Sequence, residues 1–477
     1  MRHDILALPN RRHLAGLSLI YAGVMLYSST LVGPTGVNFV YRDPADALRI
    51  FLATPYVAHG SDQRADWIGN LLMLVPYGFL VVGAMWPRRS FLRPPAALAA
   101  MLVCVATILA IKYLQLFFPP RTVTLNYILA QTLGAVIGCV GYAVWHGRVG
   151  PVAGRRDHIG GFVLLLRLYT GALCLFTLMP LDFALNASDL GTLLDRLPKT
   201  VVTLPGNGRP LAVRVMLIVM ASLAFIPVGM LLTFVGRGVH RVGRGLLSVT
   251  GLGLLLTAGL YGLSVFVISA YPAAPSILYR TAGIVVGAAA LSWLVRQDTD
   301  ALRQRLVRLA PWAIAPYLLA VLLVNRLLST HWLSASEAIA QFYPPSFLPL
   351  FDYYIVTKAE AAKNIVGHAA LYLPVGVLLW LRYGDRSPMR AFILAAALSF
   401  VVELARSFRP GLEGDMNAIV VGGVASACAA ALMPTLWSMV QTLGRQSAAR
   451  TNRLWGTPGG SGSADGTVGR TADIEHY

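Results

Sequence analysis

The sequence predicts an all-α, polytopic membrane protein with about twelve transmembrane helices arranged as three parallel four-helix repeats. Three observations predict it. First, 56% of the 477 residues are hydrophobic and only 13% are charged, with a mean hydropathy of +0.64. A soluble chain carries about 45–50% apolar and about 25% charged residues, so this one has too little polar surface to cover a water-soluble particle. A cytosolic enzyme and a disordered chain are thereby excluded. Second, the net charge of +18 is gathered in short clusters between long apolar runs. That is the pattern of the positive-inside rule, and it argues against a nucleic-acid partner. Third, a Pro-x-Gly signature recurs at Pro76, Pro227 and Pro374, spaced 151 and then 147 residues apart.

A spanning helix needs about 20 mostly apolar residues. Twelve segments qualify, near 14–33, 67–86, 94–117, 123–145, 161–180, 215–235, 246–270, 276–295, 311–329, 365–381, 391–408 and 416–440. Arg11 and Arg12 precede the first, but no small-residue cleavage pattern follows it, so it reads as a retained anchor. The short turns after even-numbered helices hold sixteen arginines: Arg88, Arg89, Arg93; Arg148, Arg155, Arg156; Arg237, Arg241, Arg244; Arg296, Arg303, Arg305, Arg308; and Arg382, Arg386, Arg390. The much longer segments after odd-numbered helices hold 11 basic residues. This contrast places both termini and the arginine-rich turns in the cytoplasm, with the long loops 35–66, 181–214 and 330–364 outside. The tail after Arg453 contains GlyGlySerGlySer and reads as a disordered extension.

The domain organisation follows from the repeat. Residues 1–157 form repeat one, 158–310 a degenerate repeat two, 311–444 repeat three, and 445–477 the cytoplasmic tail. Each unit runs as a helix, a long loop, a Pro-x-Gly helix, an arginine-rich turn, a third helix, a short turn and a fourth helix rich in small residues. Proline removes an N–H and clashes with the preceding turn, so each Pro-x-Gly predicts a mid-membrane kink. The carbonyl it frees needs a partner from a neighbouring helix. An even number of spans per unit makes the repeats parallel. Gly134-xxx-Gly138 and Gly283-xxx-Gly287 predict close helix crossings.

Polar residues recur at one end of these units. Ten and six residues before the kink proline stand Asp66 and Asn70 in repeat one, and Asn364 and His368 in repeat three; an i, i+4 spacing puts each pair on one helix face. Repeat two has Leu217 and Ala221 there. The third helix of repeat one ends Lys112-Tyr-Leu-Gln115, followed by Pro119, Pro120, Arg121 and Asn126. Repeat three has Glu403-Leu-Ala-Arg406, then Arg409, Pro410, Asp415 and Asn417. Repeat two has Ser264, Tyr271, Pro272 and Arg280, with no acid.

This pattern resembles the VanZ-like family, which is named for an accessory protein of glycopeptide (teicoplanin) resistance in bacteria. The matching residues in repeat one are Asp66, Asn70, Pro76, Gly78, Gln115, Arg121, Asn126, Gly134 and Gly138. Those in repeat three are Asn364, His368, Pro374, Gly376, Glu403, Arg409 and Asp415. In repeat one, Lys112 stands where the family carries a glutamate, Asn126 where it carries an aspartate, and Gln131 where it carries an asparagine, so repeat three is the expected working site. The resemblance covers about two-thirds of the chain and implies a multi-pass envelope protein of the bacterial cytoplasmic (inner) membrane.

The expected function is binding of an amphiphilic cell-envelope component, such as a lipid-linked glycan or cell-wall precursor, with an effect on envelope composition or antibiotic susceptibility. His368, Glu403, Arg406, Arg409, Asp415 and Asn417 would line an outward-facing pocket, and Asp66, Asn70, Gln115, Arg121 and Asn126 a related cluster. Ionisable groups cost roughly 2.5–3.5 kcal/mol each at a membrane helix centre, so they persist mainly when paired, solvated or functional. Glu403 and Arg406, three residues apart, can pair as a structural ion pair or belong to a site. The arginines can grip a phosphate or anchor in lipid headgroups. Two alternatives stand: a proton-coupled transporter or flippase using the carboxylates and His368, and a membrane enzyme acting on lipid-linked sugars. No catalytic residue, cofactor or metal is assigned. Walker, dinucleotide, zinc-protease and nucleophile-elbow motifs are missing from the sequence. The four cysteines lie in apolar runs without CxxC spacing, which points away from a metal or disulfide framework. Phe342 to Tyr354 reads as an interfacial segment able to cover the third cluster.

Overall fold

The computed structural model describes residues 10–30, 38–57, 61–119, 121–153, 158–184, 189, 191, 193, 211–234, 245–270, 272–341, 348–351, 356, 358–384 and 387–455. Arg155, Arg156, Arg237, Arg241, Arg244, Arg386, Tyr271, residues 342–347 with Tyr353 and Tyr354, and the tail beyond Trp455 lie outside them. Among the described residues ten helices are long and apolar enough to cross a membrane. At most 44% of any such span's apolar window is buried, which leaves Leu247, Leu255 and Trp312, among others, exposed along the helix flanks. A helix that is apolar all round yet this exposed has lipid as its solvent. The chain is an all-α, polytopic membrane protein. The other two of the twelve expected spans are also helices, α1 (Arg11–Thr30) and α6 (His158–Thr177). The first opens on Arg11, Arg12 and His13 and is less apolar than the ten, whereas the apolar part of α6, Phe162–Thr177, is simply shorter.

The first four-helix bundle is α1 with α3 (Ser61–Met85), α4 (Arg93–Gln115) and α5 (Leu125–Ala153). Its core gathers Leu74, Tyr77, Val82, Ala100, Cys104, Ile108, Ala135 and Tyr142. The second comprises α6, the broken pair α7 (Leu211–Ala224) and α8 (Ile226–Leu232), α9 (Leu246–Val265) and α10 (Ser276–Leu294), around Phe225, Val228, Val249 and Ile284. The third comprises α11 (Thr299–Val324), α13 (Lys358–Tyr383), α14 (Pro388–Ser407) and α15 (Met416–Trp455), around Tyr372, Val375 and Ala395. Phe162, Leu231 and Leu291 of the second bundle share a further core with Met439 and Leu443 of α15.

The same two devices build all three bundles. The carbonyl three residues before each kink proline accepts a hydrogen bond from a tyrosine on the bundle's first helix. Tyr21 donates to Met73 O at 2.5 Å, Tyr169 to Ala224 O at 2.8 Å and Tyr317 to Leu371 O at 3.0 Å. A proline bend exposes carbonyls on its inner turn, and in lipid they must find a donor on another helix. In the second bundle the bend becomes a break at Phe225. The second device is close packing of the Pro-x-Gly helix on the bundle's fourth helix. A Cβ added to Gly78, Gly229 or Gly376 would land on the carbonyl oxygen of Ala135, Ile284 or Ser426, respectively. Replacing Tyr21, Tyr169 or Tyr317 by Phe removes one such hydrogen bond and is expected to cost about 1 kcal/mol each, read as a lowered thermal midpoint of the purified protein.

Several elements depart from expectation. Loop 35–66 contains a short helix, α2 (Pro44–Leu52), whose N-cap Asp43 accepts from the N–H groups of Ala45 and Asp46, with proline at the first turn. Loop 330–364 contains α12 (Ala335–Gln341), started by a capping box. Ser334 N–H and hydroxyl both donate to Glu337 at 2.8 Å, which holds that carboxyl below its usual pKa. The cap's contribution is therefore present above the ordinary carboxylate pKa and is lost as pH falls through the depressed one. The ninth expected span begins twelve residues early, because Asp298 caps α11 and nothing before Pro311 breaks it. The helix expected to end near residue 440 runs on to Trp455, so the first part of the expected tail is helical.

Among the described residues, arginines of these turns lie beside aromatic rings at one end of the first and third bundles. Arg93 lies over Trp86 at 5.8 Å, Arg303 over Trp380 at 5.3 Å and Arg390 over Tyr383 at 4.7 Å. Such arginine–aromatic layers suit a membrane–water boundary. The polar clusters lie at the opposite end.

Candidate functional site in the third bundle

Glu403 occupies the last turn of α14 and is buried, its side chain 5% exposed. One oxygen, Oε2, accepts from Arg406 at 2.8 Å and from the backbone N–H of Asp415 at 3.0 Å. The other, Oε1, is enclosed without a hydrogen-bond partner. Asp415 caps α15: its Oδ1 accepts the Asn417 N–H at 2.7 Å. Its Oδ2 lies 3.4 Å from His368 Nε2 on α13. Four of the sequence-predicted residues, from three helices, therefore form one cluster. Ser399, one turn below Glu403 on α14, and Tyr372, one turn below His368 on α13, extend it inward; both are fully buried, and their hydroxyls face each other. Asn364 stays exposed, one turn above His368.

Arg409 and Asn417 do something else. Arg409 turns away from Glu403, donates to Ser329 O at 3.1 Å and to His331 O, and lies over the Trp332 ring at 5.2 Å. Asn417 Oδ1 accepts the Leu350 N–H at 2.5 Å. Gln341, on α12, donates to Ser407 O at 2.7 Å and to Arg409 O at 3.1 Å. The loop ahead of α13 is thus laced onto the turn between α14 and α15. Gly411, at φ +66°, lets that turn reverse where other residues are strained.

The first bundle carries its polar residues in a different state. Gln131 donates to Asn70 at 2.9 Å, and Asn70 donates to Asp66 O at 2.9 Å. The buried Lys112 donates to Gln115 at 3.1 Å, with its ammonium 5.9 Å from the Tyr127 ring centre. Arg121 donates to Ser28 O at 2.9 Å, as Arg409 does at the corresponding end of its own bundle. Asn126 clamps Val57 through both amide atoms, at 2.9 and 2.5 Å. This is the task of Asn417, and each asparagine is the second residue of its helix. The correspondence expected between Asn126 and Asp415 is therefore corrected: Thr124 precedes its helix where Asp415 precedes α15.

The second bundle holds an acid at this end that the sequence reading missed. Asp182 is fully buried, and its Oδ2 accepts the Ser269 N–H at 3.0 Å and the Ser269 hydroxyl. It follows the bundle's first helix, away from the end of the third helix where Glu403 stands in the third bundle. Arg64 of α3 reaches across to Asp189 at 3.0 Å and Phe183 O at 3.1 Å, tying the first two bundles together. Among the described residues no group of three or more His, Cys, Asp or Glu side chains is placed to hold a metal ion.

Residues 18–146 match the VanZ/LLP1 family model. The chain carries a VanZ-like domain. That domain begins within α1, ends within α5 and coincides with the first bundle. It connects this membrane protein with a family named for glycopeptide resistance. The match is narrower than the two-thirds of the chain expected, and the Glu403 cluster lies beyond the VanZ-like residues. No curated protein and no solved structure matches the chain.

Proposed function

We propose that the protein binds an amphiphilic cell-envelope component at the Glu403 end of the third bundle and thereby affects envelope composition or glycopeptide susceptibility. In this reading the chain is three tandem copies of one VanZ-like four-helix unit in a bacterial cytoplasmic membrane. The arginine-rich turns and both termini lie inside, and the polar ends face outward. The contrast in arginine content between the two sets of connections supports that orientation. The recurring tyrosine and glycine contacts support the triplication.

The observation that carries the reading is the unpaired, buried Glu403 Oε1. A buried acceptor without a donor costs about 1–3 kcal/mol, and more when charged, so it persists where something outside the bundle supplies the donor. In the first bundle Asn70, Lys112, Gln115, Asn126 and Gln131 all engage neighbours, as expected of a framework. Asp182 of the second bundle also keeps one oxygen, Oδ1, unpaired, but its other oxygen is held by Ser269, whereas Glu403 sits with Arg406, Asp415 and His368.

The test is complementation in a strain lacking the gene, with mass spectrometry of its envelope lipids and glycans. Glu403→Gln and Asp415→Asn are each expected to leave the deletion phenotype uncorrected, whereas Arg49→Ala, at an exposed pair on α2, corrects it. Full correction by both third-bundle variants at normal protein levels overturns the proposal.

A further inference from the structure

We infer that the second bundle holds an anion site of its own, built on Arg280 and Arg214, that takes a phosphate group. The inference does not rest on the Glu403 cluster. Arg280 stands in the second turn of α10, and its guanidinium lies over the Phe225 ring at 5.6 Å. Phe225 is 1% exposed and marks the break between α7 and α8, so the charge sits against the core of the bundle, within a spanning segment. A guanidinium cannot shed its charge, and a charge in such a place persists where something compensates it. Among the described residues no carboxylate, carbonyl or hydroxyl accepts a hydrogen bond from Arg280. The ionisable group that acts on it is Tyr279, its neighbour in the chain. Asp182, the bundle's buried acid, is not among the groups that reach it and is held by Ser269. The ring face attracts the charge but accepts none of the in-plane N–H groups.

The register shared with the first bundle shows what is missing. A Cβ added to Gly134 or Gly283 would meet Leu71 O or Ser222 O, each five residues before its kink proline, so the two glycines correspond. Three residues before these glycines stand Gln131 and Arg280; six before the prolines stand Asn70 and Ala221. In the first bundle Gln131 donates to Asn70 at 2.9 Å, and the amide pair satisfies itself across α3 and α5. The second bundle has a guanidinium and a methyl group at the same two places, and the acceptor has to come from outside the chain.

Arg214 supplies a second cation on the same seam. It stands seven residues before Ala221, two turns along the same face of α7 and nearer the polar end of the bundle. Its Nε is enclosed without a hydrogen-bond partner. Two forked cations with no acid paired to either suit an oxyanion, and a tetrahedral phosphate presents enough acceptors for both. A zwitterionic headgroup would bring its own cation towards two arginines.

The experiment measures the thermal midpoint of the full-length protein in detergent with phosphatidylglycerol, phosphatidylcholine or millimolar inorganic phosphate added. Phosphatidylglycerol is expected to raise the midpoint by about 2 °C or more, and phosphatidylcholine to leave it unchanged. A rise with inorganic phosphate as well supports the site and assigns its phosphate to a solute; a rise with phosphatidylglycerol alone assigns it to a lipid headgroup. Arg280→Gln is expected to abolish the rise, and Arg280→Lys, which keeps the charge without the fork, to retain part of it. Arg167→Gln, at an exposed arginine on α6, is expected to retain all of it. Where Arg280→Gln cannot be purified, Arg214→Gln, in the first turn of α7, carries the comparison and is expected to reduce the rise. Equal effects of phosphatidylglycerol and phosphatidylcholine on the unaltered protein overturn the inference without recourse to any variant. So does a rise that survives both Arg280→Gln and Arg214→Gln, or one that Arg167→Gln removes equally, since either belongs to the protein's diffuse positive charge. No rise with either phosphate source overturns it too.

Discussion

Gly134→Ala and Gly138→Ala are each expected to prevent the first bundle from closing, whereas Gly141→Ala, less than one turn further along α5, is expected to leave it intact. A Cβ at Gly134 would fall on the carbonyl oxygen of Leu71, and one at Gly138 on that of Val75. Both targets are backbone atoms of α3, which cannot swing aside as a side chain can. Moving them means separating the two most extensively packed helices of the bundle. Overpacking commonly costs about 1–3 kcal/mol and more where no rotamer gives way. A value above about 3 kcal/mol is therefore expected here. At Gly141 nothing lies within 4 Å of the added carbon, so the change should stay within about 1 kcal/mol, on the stabilising side if helix propensity dominates. Gly283→Ala and Gly287→Ala meet the carbonyls of Ser222 and Ile226 in the same way. Thermal unfolding of purified variants, with size-exclusion profiles to detect aggregation, checks the whole series.

Arg406→Met is expected to destabilise the third bundle far more than Glu403→Gln. The two residues pair at 2.8 Å, but Glu403 is 5% exposed while Arg406 is 21% exposed. Losing the arginine strands a charge in the interior, and breaking a buried pair in that way costs roughly 3–5 kcal/mol. Losing the carboxylate strands a long, half-buried guanidinium that can snorkel to the boundary. Glutamine also keeps an oxygen for the Asp415 N–H. The double variant Glu403→Gln/Arg406→Met is expected to recover most of the stability lost in Arg406→Met alone. A double-mutant cycle on thermal midpoints measures this, and an additive result would contradict the assignment of Arg406 as the counter-charge of Glu403.

Much of this architecture is legible in the sequence because lipid imposes strong rules. Long apolar runs mark the spans, the arginine turns mark one end, and Pro76, Pro227 and Pro374 mark the bends. The small-residue pairs mark the crossings. The tyrosines that serve the bends were equally legible, since Tyr21, Tyr169 and Tyr317 recur at a constant interval of 148 residues; a single tyrosine in an apolar run nevertheless reads as interfacial. The starts of α2 and α12 were written as Asp43-Pro44 and Ser334-x-x-Glu337, both local cap signals hidden inside long loops. The end of α15 was not legible, because Pro434 and Gly444, which would mark a stop, both lie inside a helix that continues to Trp455.

The site was half visible. Spacing brings Glu403 next to Arg406, but only the turn geometry carries Asp415 back to Glu403 and His368. Spacing also cannot tell an arginine that faces a ligand from one that ties down a loop. Arg409 and Arg121 proved to be of the second kind, donating to the carbonyls of Ser329 and Ser28. Asp182 was invisible because its burial depends on how the loop after α6 meets Ser269, a contact 87 residues away in sequence.

Photo-crosslinking in living cells tests the account most directly. A photoreactive residue replaces Asn364 in one variant and Asp66 in another, the two positions ten residues ahead of their kink prolines. After illumination, mass spectrometry identifies what each has captured. The account predicts an envelope amphiphile joined to position 364, lost when Glu403 is glutamine, and no specific adduct at position 66. Equal capture at both positions, or capture at 364 that ignores the state of Glu403, would contradict it.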